Sequence, residues 1–497
     1  MSKEGGKMKK TTLTIIISIL VLFTACASFA HAATDPGDPE LVQGKWIEIA
    51  HRYPIPAVSA DRMSEPDPEM LSKWWESLND ELLTQLIGWA LESNRDIESA
   101  RSKVTEARAA LGINKAALLP WLDNTDYWYN NRTPVETGGA GKGIDIYRLG
   151  IDASWEIDIF GGRRQSIKAG TASLEAQYAS LHAAWVSLSA EVALNYLTLR
   201  TLQERLLIAE RNLALQEETL EMLQSRLDAG LSDHLALSQS KYTLEQTRAE
   251  IPPIRKSIEE TKNNLGVLTG RVPGSLGEML DVFKPLPKTD QRMMVGIPAN
   301  SIRQRPDIFA AERQLAAQIA RKKSAKADLW PKFYLLGSIG TEALDTGSLF
   351  EGPNKAYSFG PKITWPIFHG GAIRNNIKVQ TAREEQYLAA YEQTVLKAVA
   401  EVRNALVSGI EERERNEALK RGVEAAQTAL DVANDKYRNG LTDFNNVINA
   451  QRALLMLSEA FAVSEGQITS DTVRLFKALG GGWAPLSDEY GTVSMKK

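Results

Sequence analysis

One apolar seam, running from residue 174 to residue 227, constrains the fold more than any other feature of the chain. Its positions follow alternating steps of four and three residues, and only Asn195 and Gln216 among them are strongly polar. This period, kept over more than seven heptads, predicts a coiled-coil helix. From about Arg163 to Ala229 the helix would measure about 100 Å at about 1.5 Å per residue. No compact domain contains such a helix.

The chain also carries the same series of segments twice. The separation is 211 residues for each of three equivalent pairs: Asp96 and Asp307, Lys115 and Lys326, and Pro120 and Pro331. Each copy is too long for a solenoid repeat, so the spacing indicates duplication of a half-protein. Within each copy we predict the order helix, strand, strand, very long helix, turn, helix.

The first segment has the layout of an export signal. Basic residues precede an apolar run from Thr11 to about Phe29, and Ala30-His31-Ala32 follows. We therefore expect a signal peptide over residues 1–32. The segment Phe23-Thr24-Ala25-Cys26 resembles a lipobox, so a lipoprotein signal ending before Cys26 is the alternative, with Cys26 as the lipidated residue. The sequence is compatible with cleavage at either position.

The repeats define the remaining organisation. We place the boundaries as follows: an N-terminal periplasmic segment at 33–73, a first repeat at 74–270, an inter-repeat linker at 271–300, a second repeat at 301–480 and a C-terminal tail at 481–497. Four strands are expected, at about 121–131, 144–159, 332–340 and 356–367.

The second strand of each pair alternates apolar and polar residues, which is typical of a strand with one apolar face. A soluble sheet would show the same alternation. Here, however, aromatic residues gather near the strand ends, as in the girdles of transmembrane barrels. We expect five strand aromatics to face lipid: Tyr147, Trp155, Tyr357, Phe359 and Trp365.

Four strands per chain predict an oligomer. A sheet in lipid must close on itself, because unpaired backbone groups cannot be hydrated there. The smallest single-chain barrels have eight strands, so at least two protomers are needed. Three protomers would supply twelve strands and surround a common axis with long helices.

These segments resemble the TolC-like outer membrane factors, in the NodT/OprM-like branch of outer-membrane efflux lipoproteins. The resemblance covers about Lys73 to Gly482, and four motifs carry it: Trp74-Trp75 with Leu82-Leu83, Asn94-Arg95-Asp96-Ile97, Arg305-Pro306-Asp307-Ile308 with Ala310-Ala311-Glu312, and Lys326-Ala327-Asp328-Leu329-Trp330-Pro331. It implies a mixed α and β fold: a trimeric 12-stranded transmembrane β-barrel that continues into a long periplasmic α-helical barrel, with a small mixed equatorial region.

The resemblance also implies a location, partners and contact residues. The protein would be a homotrimer in outer membrane lipid, extending into the periplasm and lipid-anchored if Cys26 is modified. Substrate would arrive from an inner-membrane transporter through a periplasmic adaptor. The adaptor would contact two helix-turn tips: Gly230, Leu231 and Ser232, and Gly440, Leu441 and Thr442. The periplasmic aperture would be lined by three residues on one face of a helix, Asn445, Asn449 and Arg452.

Composition excludes other classes of protein. Lys and Arg number 58 against 62 Asp and Glu, so no excess of positive charge points to nucleic acid. Five scattered histidines and one cysteine offer no close metal-ligand set, and no catalytic grouping, P-loop or Rossmann motif is present. We therefore expect no enzyme activity, metal or cofactor.

The expected function is passive conduction of small toxic compounds out of the cell. The alternative is an exit duct for secreted polypeptides. A periplasmic coiled-coil tether would explain the helices but would leave the two pairs of amphipathic strands without a role.

Overall fold

The computed structural model describes residues 71–132, 134–137, 141–287, 302 and 304–483. The predicted signal segment with Cys26, residues 33–70, most of the inter-repeat linker and the tail from residue 484 lie outside the described residues. The described chain forms two compact units. The sheet unit comprises Val104–Gln177 and Ala310–Tyr391, and the helical unit comprises the described residues of Ala50–Lys103, Tyr178–Phe309 and Glu392–Lys497.

Helices make up most of the described chain. They are α1 (Glu81–Ser93), α2 (Arg95–Ala116), α3 (Gly162–Asp228), α4 (His234–Leu268), α5 (Gly277–Asp281), α6 (Pro306–Ala327), α7 (Ala372–Arg438) and α8 (Phe444–Ala478). The helix predicted from the apolar seam is α3, and α7 is its counterpart in the second copy, with 67 residues in each. Within the part of the chain that the structure describes, no helix is both long enough and apolar enough to cross a membrane.

The helical unit is built from antiparallel pairs. Two ion pairs join α3 to α4: Glu217 with Arg248 at 2.9 Å, and Glu210 with Arg255 at 2.7 Å. The two pairs are seven residues apart on each helix, and the numbers run in opposite directions, as in an antiparallel pair. Such spacing keeps one face of each helix against its partner. The seam residue Gln216 is 3% exposed, whereas the amide of Asn195 bonds to the carbonyl of Glu191 on its own helix.

The sheet unit contains one antiparallel sheet of five strands. They are β1 (Trp121–Asn124), β2 (Tyr127–Arg132), β3 (Gly143–Ile157), β4 (Lys332–Ala343) and β5 (Lys355–Thr364). The order is β1-β3-β4-β5, and β2 also pairs with β3. Since β1 and β2 lie against β3 in one continuous register, they are two parts of a single edge segment.

The strand expected at about 121–131 is therefore interrupted. Where it breaks, the carboxylate of Asp126 accepts the backbone N–H of Gly150 at 3.2 Å, while the N–H of Thr125 donates to the carbonyl of Gly150 at 2.8 Å. A side-chain oxygen thus takes the place of a backbone acceptor, and the regular ladder stops for two residues.

Two other strands end earlier than expected. We expected β3 to continue to residue 159, but it ends at Ile157. The next residue, Asp158, turns to the following helix: its carboxylate accepts the N–H groups of Arg163 and Arg164 at 3.2 and 2.9 Å and caps the start of α3. Expected to continue to residue 367, β5 ends at Thr364. Trp365 lies beyond the strand, because the chain turns there: the N–H of Ile367 donates to the carbonyl of Trp365 at 3.0 Å, and Pro366 between them has no N–H to continue the ladder.

The sheet has two distinct faces, because residues opposite each other in the register share a face. The apolar face carries Tyr147, Leu149, Ile151, Ala153, Trp155 and Ile157 of β3, Phe333, Leu335 and Ile339 of β4, and Tyr357, Phe359 and Ile363 of β5. The polar face carries Arg148, Asp152, Ser154 and Glu156 of β3, Ser338 and Glu342 of β4, and Ser358 and Lys362 of β5.

Candidate functional site

Both helix-turn tips have the same backbone geometry. At Gly230 and Gly440 φ is +71° and +72°, a left-handed conformation that favours glycine. In the first tip the N–H of Leu231 donates to the carbonyl of Arg226, and in the second the N–H of Leu441 donates to the carbonyl of Lys436, each at 2.8 Å. This six-to-one bond beside a left-handed glycine is a Schellman cap, so the same device ends α3 and α7.

One core cluster holds the two tips together. It joins buried residues of four helices: Leu223 of α3, Ala236 and Leu237 of α4, Leu430 and Tyr437 of α7, and Phe444, Val447 and Ile448 of α8. Above it, Leu231 and Leu441 are 67% and 75% exposed. Two leucines that project from a well-packed end are suited to contact with another protein.

The expected aperture residues occupy the first turns of α8. Asn445, Asn449 and Arg452 are all exposed. Arg452 differs from the other two, because its Nη2 donates to the hydroxyl oxygens of Tyr242 at 2.9 Å and Thr243 at 3.1 Å. Its guanidinium carbon also lies 5.3 Å from the centre of the Tyr242 ring. This link between α8 and α4 joins residues 210 positions apart and had no signal in the sequence.

Sequence reasoning used Arg305 only as part of a family motif, but the structure places its buried side chain in an ionic network with two partly exposed carboxylates. Its side chain is 8% exposed and donates to Asp307, to Glu401 at 2.8 Å and to the carbonyl of Ala478 at 2.6 Å. Burial acts to lower the pKa of Arg305, but the bonds to the two carboxylates outweigh it and raise the pKa. The motif therefore joins the start of α6 to the end of α8.

Four of the five expected lipid-facing aromatics share the apolar face of the sheet: Tyr147, Trp155, Tyr357 and Phe359. Tyr357 and Phe359 are more than 80% exposed in the single chain. The two tryptophans have a further contact. The indole N–H of Trp155 donates to the carbonyl of Leu118 at 2.8 Å, and Trp365 repeats the bond to Leu329 at 3.2 Å.

The described residues do not bring together three or more His, Cys, Asp or Glu side chains that could hold a metal ion. A cavity of about 100 Å³ lies where β3 meets α3, lined by charged residues that include Glu156, Arg163, Asp328 and Lys332. Ligand pockets are usually about 300–1,000 Å³, so this space is too small for an exported compound.

Amphipathic strands, paired long helices and exposed tips define the class of an outer membrane channel. The Outer membrane efflux protein family model matches residues 86–271 and 297–481, well over half of the chain. The chain belongs to this family.

Individual relatives agree with the family match. The chain is 30% identical to the outer membrane protein OprJ of Pseudomonas aeruginosa, over 82% of this chain and 86% of that protein. It is 30% identical to the toluene efflux pump outer membrane protein TtgF of Pseudomonas putida, over 97% and 99%. The solved outer-membrane channel OprN has a TM-score of 0.80 and 32% identity, covering 86% of this chain and 95% of that chain.

These comparisons confirm the expected family, the mixed α and β fold class, the function as an outer membrane efflux channel and the location in the outer membrane. They name channels and pump components, not enzymes. The roles expected for single residues at the tips, the aperture and the sheet face stay predictions.

Proposed function

We propose that the protein is a homotrimer that passes small toxic compounds from an inner-membrane transporter and a periplasmic adaptor to the cell exterior. Three sheets would form one 12-stranded barrel, counting β1 and β2 as one segment. The long helices would enclose the periplasmic part of the conduit, the two tips would contact the adaptor, and Asn445, Asn449 and Arg452 would line the aperture.

The observation that carries this proposal is the open apolar sheet. Within the described residues, the β1–β2 segment pairs only with β3, and β5 pairs only with β4. Each sheet edge therefore has backbone groups to offer to another strand, while one face is largely apolar. In lipid such edges must be paired, because each unsatisfied backbone group there costs several kcal/mol. Pairing β5 of one protomer with the β1–β2 segment of the next satisfies both edges.

The oligomer is tested by extracting the protein from membrane fractions and measuring its mass in detergent. We expect outer membrane fractionation and three chain masses in each particle. A stable monomer in aqueous buffer would contradict the proposal, because the apolar sheet face would then be exposed to water.

The class of substrate is tested in a host that lacks its own outer membrane factor. The TtgF relative is named as part of a toluene efflux pump, which favours small compounds. Co-expression with a matching adaptor and transporter should lower the accumulation of a fluorescent dye and raise solvent tolerance. Secretion of a polypeptide with no effect on dye accumulation would support the alternative duct instead.

A further inference from the structure

An arginine without a counterpart in the second copy lies on the polar face of the sheet. Tyr147 and Tyr357, like Trp155 and Trp365, are equivalent at a separation of 210 residues, so the equivalent of Arg148 is Ser358. Each protomer therefore has an arginine at this position of the first copy and a serine at the equivalent position of the second copy.

The side chain of Arg148 is held flat against the sheet. Its Nη2 donates to Asp152 at 2.8 Å and to the hydroxyl of Ser338 at 2.6 Å, and its guanidinium carbon lies 5.6 Å from the centre of the Tyr127 ring. Gly150 leaves the necessary room, since a Cβ there would lie 3.3 Å from the Nε of Arg148. Because these contacts hold the side chain and only 22% of it is exposed, the guanidinium charge has a fixed position on the polar face.

Carboxylates surround this fixed charge. Asp123 lies directly opposite Asp152 in the pairing of β1 with β3, and Glu342 lies directly opposite Arg148 in the pairing of β3 with β4. Like charges directly opposite each other on neighbouring strands are unfavourable, and a nearby cation relieves their repulsion. At this level the polar face thus holds three carboxylates and one arginine, whereas Lys332 and Lys362 lie toward the other end of the sheet.

We propose that Arg148 limits the cation preference of the barrel lumen and so determines which charged compounds pass this section. The inference rests on the proposed trimer, in which the polar faces line the lumen. Three copies of the carboxylate set would attract cationic compounds and disfavour anionic ones, as rings of carboxylates do in cation channels. Three copies of Arg148 would offset part of that field, which allows anionic compounds to pass as well.

The experiment is a reversal-potential measurement on the purified protein in planar bilayers under a KCl gradient. Arg148→Gln should raise the ratio of potassium to chloride permeability about twofold, and the shift should shrink as salt rises and screens the charges. Arg148→Lys keeps the charge and should keep the wild-type ratio. Ser358→Ala alters a polar side chain of the same face without changing its charge and should also leave the ratio unchanged.

Asp123→Asn provides a second arm that does not depend on how well the Arg148 variants fold. It removes one carboxylate from the same level and should lower the permeability ratio. If Arg148→Gln and Asp123→Asn both form normally conducting pores with the wild-type permeability ratio, the inference about Arg148 is overturned, while the proposed channel function is not affected. If the wild-type protein formed no conducting pores, the proposed channel function itself would be contradicted.

Discussion

The guanidinium group of Arg452 donates a hydrogen bond of 2.9 Å to the hydroxyl of Tyr242 and lies over its ring. This contact ties the beginning of α8 to α4 beside the residues expected to line the aperture. Hydrogen bonds to charged groups contribute about 1.5–3 kcal/mol, so the contact can hold the two helices in one arrangement.

Removing the hydroxyl should loosen the aperture. Tyr242→Phe keeps the ring but removes the acceptor, so we expect a higher single-channel conductance in planar bilayers with the trimer intact. The control is Tyr387→Phe, which removes a hydroxyl from α7 in the sheet unit. Equal conductance in wild type and Tyr242→Phe would mean that this hydrogen bond does not restrict the passage.

The tips should be required for adaptor contact and for nothing else. Leu231 and Leu441 are exposed, so Leu231→Asp combined with Leu441→Asp should cost little folding free energy, about 0.5 kcal/mol or less for exposed positions. We expect loss of dye efflux in cells, measured beside an unchanged trimer mass and an unchanged bilayer conductance. The matched control is Val267→Asp, an exposed apolar residue at the end of α4 away from the tip. Normal efflux by the double variant would remove the tips from the adaptor interface.

Much of this architecture follows from local patterns in the sequence. The period of the seam predicts α3, the alternation of apolar and polar residues predicts β3, and the glycines at 230 and 440 mark the turns. Each of these signals depends on residues close together in the chain. The repeat spacing then carries the same assignments to the second copy.

What could not be predicted depends on partners far apart in the sequence. The edge strand breaks because Asp126 reaches Gly150, 24 residues on, and the aperture contact joins Tyr242 to Arg452. No spacing rule identifies such pairs before the helices and strands are packed. The polar face shows the same limit, because the opposition of Asp123 and Asp152 follows from the register and not from either strand alone.

Stability of the helical unit should depend on pH through His182. Its ring stacks on Trp483 at 4.8 Å, its Nε2 is buried with no hydrogen-bond partner among the described residues, and burial lowers its pKa to about 4. The unfolded chain binds a proton near pH 6.5, whereas the folded chain does not until about pH 4. The unfolded state is therefore favoured as pH falls between these values, by about 2 kcal/mol from pH 6.5 to pH 5.

The measurement is the thermal midpoint of the detergent-solubilised protein at pH 7 and pH 5. Wild type should lose stability at pH 5, and His182→Phe, which keeps an aromatic ring beside Trp483 but cannot titrate, should lose less. Identical losses in the two proteins would show that the pKa of His182 is the same in the folded and unfolded states, so that this residue does not cause the pH dependence.

The orientation of the sheet is tested by two neighbouring residues on opposite faces. Phe359→Arg places a charge on the apolar face, which costs about 2–4 kcal/mol at the bilayer midplane and less near the interfaces. Ser358→Arg places the same charge on the polar face, where water in the lumen can hydrate it. We expect fewer assembled trimers in the outer membrane for the first variant and normal assembly for the second, and equal assembly would show that the faces are wrongly assigned.

The aperture itself is probed by charge at Asn449. Three copies of one exposed side chain around a trimer axis would lie close together at a constriction, so any change there is tripled. Asn449→Asp alters the charge with almost no change in volume, and a ring of carboxylates in a narrow passage attracts cations and repels anions. We expect the reversal potential in a KCl gradient to shift toward cation selectivity, with a smaller shift at high salt. The control is Asn404→Asp, an exposed position on α7. It lies one turn from Ser408, whose bond to Asp471 places this part of α7 beside the end of α8 that is far from Asn449. If Asn404→Asp produced the same shift, or Asn449→Asp none, then Asn449 would not line the constriction.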